Sequence, residues 1–264
     1  MIEVTNLTKY FHQGSVNETL ALRKVSLNVT EGQFVTVIGS NGAGKSTFLN
    51  ALAGCFTIDH GSIVMAGQEI TTWPEYKRAK LIGRVFQDPL MGTCAQATIE
   101  QNLALASKRG QRRTLALGVK TSKRHELRDQ IAELGLGLED RLSDKAGLLS
   151  GGQRQALTMF MATLVRPEVL LLDEHTAALD PKTAAQIMNL TDRMVTGRKL
   201  TTLMVTHNMA QAIRHGDRLI MFHQGRIILD LSGEEKSRLR VDDLVKRFYE
   251  ASGDDCTPDR ALLG

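Results

Sequence analysis

The feature that most constrains this 264-residue chain is Gly39-Ser40-Asn41-Gly42-Ala43-Gly44-Lys45-Ser46-Thr47. It fits G-x-x-x-x-G-K-[ST], between an apolar β-branched run, Phe34-Val35-Thr36-Val37-Ile38, and a helix-forming run from Ser46 to Ala53. Glycines at this spacing let successive backbone N–H groups converge on phosphate oxygens, and the helix N-terminus adds favourable dipole potential. In such a loop Lys45 would bridge the β- and γ-phosphates, and the Ser46 hydroxyl would ligate Mg²⁺.

Around this loop the chain alternates short strands with turns. Ile2-Glu3-Val4-Thr5, Val25–Val29, Ser62–Met65 and Arg84-Val85-Phe86 read as strands. From about Ala97 to Val165 helical spacing takes over, in Ile99, Leu103 and Leu105 and then in Leu127, Ile131 and Leu134. Val169–Leu172 is a buried strand. Asp180 and Pro181 then open a helix to about Val195 as N-cap and first helical residue. Leu203–Thr206 and Leu219–Phe222 return to strand, Gln224-Gly225 turns a hairpin into Ile227–Leu229, and Val241–Tyr249 closes as a short helix before a tail. This order predicts an α/β core with a helical subdomain.

A second group of residues carries chemistry at the end of Val169-Leu170-Leu171-Leu172-Asp173-Glu174. The apolar strand delivers two adjacent carboxylates to its C-terminal edge, where α/β sheets bind ligands. Asp173 would hold Mg²⁺ through water, and Glu174 would polarise the attacking water in a phosphoryl transfer. Leu149-Ser150-Gly151-Gly152-Gln153 adds a second anion site, made by Ser150 and the N–H groups opening a helix over Gly151–Val165.

With these companions the pentapeptide resembles the signature of the ABC ATPases, and the resemblance covers nearly the whole chain. It implies one domain over residues 1–264. Residues 1–87 and 166–264 would be a P-loop NTPase core with an antiparallel β subdomain, and about 88–165 a helical subdomain carrying the signature. It also implies ATP as nucleotide, and a homodimer in which Ser150, Gly151, Gly152 and Gln153 of one copy cover ATP held by the phosphate loop of the other. Gln87 matches the glutamine that senses Mg²⁺ and the water. Asp180 matches the acid of the interface segment Ala177-Ala178-Leu179-Asp180, and His207 the γ-phosphate histidine. Phe11 takes the place of the aromatic that stacks on adenine, with Tyr10 the neighbouring alternative.

The chain departs from that family where it usually has proline after the glutamate, since His175 stands there. Arg154-Gln155-Ala156 lacks the usual second arginine, and Met161-Ala162-Thr163-Leu164 replaces the common Ala-Arg-Ala-Leu. The stretch from Asp173 to Lys182 is similar to ATPase subunits of bacterial amino-acid importers. The loop with Gln13-Gly14-Ser15-Val16 also resembles lipoprotein-releasing, export-type ABC ATPases. The expected partners are an integral membrane permease, docking beside Gln87, and an extracytoplasmic substrate-binding protein. A soluble ABC ATPase acting on nucleic acid or ribosomes is the contrasting class, but the chain has one cassette and no sustained heptads. A P-loop kinase or GTPase leaves the signature and His207 unexplained.

The bulk numbers agree with this class. Hydrophobic residues make 42% and charged residues 23% of the chain, an ordinary globular balance. The apolar runs are too short to span a bilayer and the N-terminus lacks a secretory pattern, so a peripheral place on the cytoplasmic face of the membrane is expected. Three cysteines without paired spacing argue against a disulfide framework or a zinc site. Much of the net charge of +4 sits between Lys108 and Arg128. That segment reads as a solvated face or as a contact for anionic lipid or an acidic loop, and without aromatics it does not suit stacked nucleic acid.

Overall fold

The computed structural model describes residues 1–111 and 121–252. In chain order the elements are β1 (Ile2–Phe11), β2 (Thr19–Val29), β3 (Phe34–Gly39), α1 (Lys45–Ala53), β4 (His60–Met65), β5 (Gln68–Glu69), α2 (Glu75–Arg78) and β6 (Ile82–Val85). There follow α3 (Ile99–Ala106), α4 (Thr121–Ala132), α5 (Gly151–Leu164), β7 (Val169–Asp173) and α6 (Pro181–Arg198). The chain continues with β8 (Thr202–Val205), α7 (Met209–Arg214), β9 (Arg218–His223), β10 (Arg226–Ser232), α8 (Gly233–Ser237) and α9 (Val241–Ser252). These elements form two compact units: Met1–Arg78 with the chain from Arg198 onward, and Ala79–Gly197. Among the described residues no helix is long and apolar enough to cross a membrane.

The first unit holds an antiparallel sheet in the order β2-β1-β4-β5 and strands in the order β10-β9-β3-β8. β3 is buried from Phe34 to Ile38, as a strand covered on both faces must be. It runs parallel to β8, with Val37 opposite Val205, and to β9, with Gly39 opposite Phe222. β3 and β8 therefore end at one edge, and the 39–47 loop and His207 leave from it. Ile38, Met221, Leu231, Leu244 and Phe248 form part of the core cluster against which α9 closes. β1 is longer than expected because register shifts against β2 keep the pairing alive as far as Phe11 opposite Thr19.

In the second unit β6 and β7 pair in parallel, with Val85 opposite Leu172. β6 ends at Val85. Phe86, expected within the strand, instead offers its carbonyl to Gln155 Nε2 at 3.2 Å. α5 stops one residue short of the expected end, at Leu164. Ile99 and Leu103 are buried, but Leu105 is exposed, because a residue two places further on turns away from the face shared by positions i and i+4.

In the described part of the basic segment Lys108, Arg124 and Arg128 are exposed, as a solvated face requires, and Arg109 is partly buried. Arg109 donates to Ala162 O at 2.7 Å and to Val165 O, and so closes the C-terminal end of α5. Burial lowers the pKa of this guanidinium from its ordinary value. Arg124 pairs with Glu100 at 2.7 Å and Arg128 with Asp140 at 2.6 Å. Arg112, Arg113 and Lys120, together with the tail from residue 253, lie outside the described residues.

Candidate nucleotide site

Within the first unit β3 ends at Gly39, and the loop through Ser40, Asn41, Gly42, Ala43 and Gly44 leads into α1. The turn is held by Ala43 N donating to Ser40 O at 3.1 Å and by Phe48 N donating to Gly44 O at 2.8 Å. Gly44 is the N-cap of α1 with φ 102°, and a Cβ there would lie 2.7 Å from Ala21 O. No side chain fits, so the amides that open α1 have no side-chain cap at this position. Such amides are what an anion at a helix N-terminus uses. Lys45 is buried, and its ammonium donates to Gly39 O at 2.7 Å and Ser40 O at 3.0 Å. The charge is thus held on the loop itself. Ser46 is exposed and Thr47 half-buried on the first turn.

His207 follows β8 on the same edge and is exposed. Its position is set by its neighbours: Thr206 N donates to Val37 O at 3.0 Å, and Asn208 Oδ1 accepts from Gln211 N at 2.9 Å as the N-cap of α7. Phe11 packs edge-on to Phe56 with centroids 5.3 Å apart, and Lys9 Nζ lies 5.6 Å from both rings. Tyr10 instead lines a groove of about 590 Å³ with Leu20, Arg23 and Arg226. The two candidate adenine aromatics therefore face different surroundings.

In the second unit Asp173 ends β7 and Glu174 follows it, both partly exposed. Asp173 Oδ2 lies 3.8 Å from Arg84 Nη2, and the Arg84 guanidinium stacks 4.6 Å from the Phe86 ring centre. Glu174 has φ 43°, a left-handed conformation that costs a non-glycine residue about 1–3 kcal/mol and gathers at functional sites. By the register of β6 and β7, the exposed Gln87 leaves the same strand ends as Glu174. Gln155, fully buried in α5, fixes the start of that segment through Phe86 O. The sequence alone does not mark it as a positioning residue. A lone amide on a buried helix face is the only signal that could have found it.

Ser150 is the N-cap of α5 in a capping box: its Oγ accepts from Gln153 N and Gln153 Oε1 accepts from Ser150 N, both at 3.3 Å. A Cβ on Gly152 would come 2.3 Å from Thr183 Cγ2, so α5 and α6 meet closely here and a side chain at 152 would require the Thr183 methyl to move. A Cβ on Gly151 would lie 3.4 Å from Leu179. Asp180 Oδ1 accepts from Thr183 N at 3.1 Å. Hydrogen bonds from Thr183, the hydroxyl first and the amide second, hold the Asp180 carboxyl below its ordinary pKa.

The sequence-derived residues thus fall into two sets. Phe11, the 39–47 loop and His207 belong to the first unit. Gln87, Ser150–Gln153, Asp173, Glu174 and Asp180 belong to the second. The family described as "ABC transporter" matches residues 22–177. The chain is 43% identical over 254 residues to the tyrosine transport ATP-binding protein of Clostridioides difficile (strain R20291), covering 95% of this chain and 100% of that one. It is 35% identical over 233 residues to the methionine import ATP-binding protein MetN of Escherichia coli O157:H7, covering 86% of this chain and 64% of MetN. The fold is similar to the dimeric post-hydrolysis cassette MJ0796 bound to ADP and Pi, with TM-score 0.73 and 29% identity over 88% of this chain and 98% of that one. This chain belongs to the ABC transporter family and is one of its ATP-binding, ATP-hydrolysing cassettes.

Proposed function

We propose that the chain powers an amino-acid importer, as a homodimer on the cytoplasmic face of the membrane beneath a separate permease, with an extracytoplasmic substrate-binding protein delivering the cargo. The amino-acid assignment rests on the full-length similarity to a tyrosine transport ATP-binding protein. The whole chain acts as one nucleotide-binding domain, with a helical subdomain over about 88–165.

Each site uses the backbone of Gly39, Asn41, Gly42, Ala43 and Gly44 with Lys45 and Thr47 for the phosphates, and His207 for the γ-phosphate. Phe11 stacks on adenine. Ser46, Asp173 and Gln87 supply hard oxygen donors of the kind Mg²⁺ takes beside phosphate and water. Glu174 is the general base. The carrying observation for the dimer is the opening of α5, where the capping box occupies the amides of Ser150 and Gln153 but not those of Gly151 and Gly152. It makes a second anion-binding helix end, which serves the triphosphate held by the other copy, with Gly151, Gly152, Gln153 and Asp180 beside it.

Mixing two inactive variants tests the arrangement. Lys45→Ala and Ser150→Arg chains, each dead alone, place both lesions in one site of a mixed dimer and leave the other intact. Partial recovery of ATP hydrolysis on mixing is expected. A nucleotide-bound structure with Ser150 remote from every γ-phosphate would overturn the shared site.

A further inference from the structure

His175 occupies the position after the proposed base, and it is only 2% exposed. Its Nε2 lies 3.0 Å from Thr191 Oγ1 in α6. The Thr191 hydroxyl, itself fully buried, donates its one hydrogen to Ile187 O at 2.9 Å. Its oxygen can therefore only accept from the imidazole, so Nε2 carries the hydrogen.

Glu174 needs such an anchor. Its backbone is left-handed at φ 43°, and a non-glycine residue stays there only where its surroundings over-determine it. The pairing of Leu172 with Val85 fixes the chain before it, and Ala177 N donates to Glu174 O at 2.9 Å after it. Between these two restraints His175 is the buried, hydrogen-bonded residue next to Glu174, and its anchor restrains the peptide that joins the two.

We infer that His175 is a positioning residue for hydrolysis, which sets the Glu174 carboxylate through its buried hydrogen bond to Thr191. This rests on the reading of Glu174 as base. It also ties the base to α6, the helix whose first turn abuts Gly152 of the signature at Thr183. A shift of α6 would then reach the base as well as the signature.

The test is steady-state ATP hydrolysis by the full chain with ATP affinity measured in parallel. Thr191→Val keeps the shape and removes the acceptor, and His175→Ala removes the donor. Both should lower kcat by roughly 10–100-fold, the scale of a misplaced catalytic group, while KM and ATP affinity stay put. His175→Gln, whose amide can still donate, and Thr191→Ser should keep most of kcat, and His175→Ala with Thr191→Val should be no slower than His175→Ala alone. Thr191→Val turning over like wild type beside a slow Glu174→Gln would overturn the inference alone. Glu174→Gln at wild-type rate would remove the base assignment and the inference with it. A fall in kcat and ATP affinity together, with no rescue by His175→Gln, would mark a merely structural role and also overturn it.

Discussion

The amide of Gly225 donates to the carbonyl of Ala43 across 2.9 Å, so the turn between β9 and β10 is fastened to the phosphate loop. The carbonyl of Gly225 in turn accepts from Arg23 N of β2 at 2.8 Å. One hairpin tip thus braces the loop between two strands distant in sequence. Gly225 has φ 77°, and a Cβ would lie 2.8 Å from Ala21 O. Gly225→Ala should cost about 1–3 kcal/mol and weaken ATP binding as the loop loses its brace. Urea unfolding and ATP titration of the variant check both, and unchanged values would contradict the bracing.

Arg78 anchors the other end of the phosphate-loop helix. Its guanidinium, 2% exposed, donates to Ala51 O at 2.7 Å, Leu52 O at 2.9 Å, Trp73 O at 2.9 Å and Thr71 O at 2.9 Å. It closes the last turn of α1, where a cation also suits the helix dipole. Burial lowers its pKa from the ordinary arginine value. Arg78→Met should cost about 3 kcal/mol or more by leaving buried carbonyls unmatched. Arg78→Lys should recover only part, because an ammonium cannot reproduce the planar fork. Chemical denaturation of both variants tests this, and a loss under about 0.5 kcal/mol for Arg78→Met, the ordinary surface range, would refute it.

Glu174→Gln preserves size and removes the proposed base. It should bind ATP while hydrolysing it roughly 10²–10⁴-fold more slowly, and with ATP present it should accumulate as a dimer. Wild-type turnover by the purified variant would remove Glu174 from that role.

Lys236 makes stability depend on pH. Burial, partly offset by Asp217, lowers its pKa from 10.5 to about 8, and the ammonium donates to His215 O and to Gly216 O at 2.6 Å. Below about pH 8 both folded and unfolded chains carry the proton, and the cost of the buried charge is fully present. Between about 8 and 10.5 the unfolded chain binds more protons, so the contribution of Lys236 to stability rises with pH. The stability of wild type minus that of Lys236→Met should therefore increase across this window. Urea midpoints measured at several pH values decide it, and a flat or falling difference would contradict the buried titration.

The sequence by itself determined the phosphate loop, the paired carboxylates ending an apolar strand and the helix opened by Ser150. Each is a contiguous device whose spacing is dictated by local backbone geometry: converging amides, strand alternation or an N-cap. Only the tertiary structure decided which distant residues hold these devices in place. His175 and Thr191 stand 16 residues apart, and Arg78 and Ala51 stand 27 apart. Nothing local in either pair announces the other. The same holds for Arg124 and Arg128, which are exposed as a basic run suggests but take their ion-pair partners, Glu100 and Asp140, from elsewhere in the chain. Periodicity places a residue on a face, but burial and hydrogen bonding depend on what the rest of the chain brings to that face.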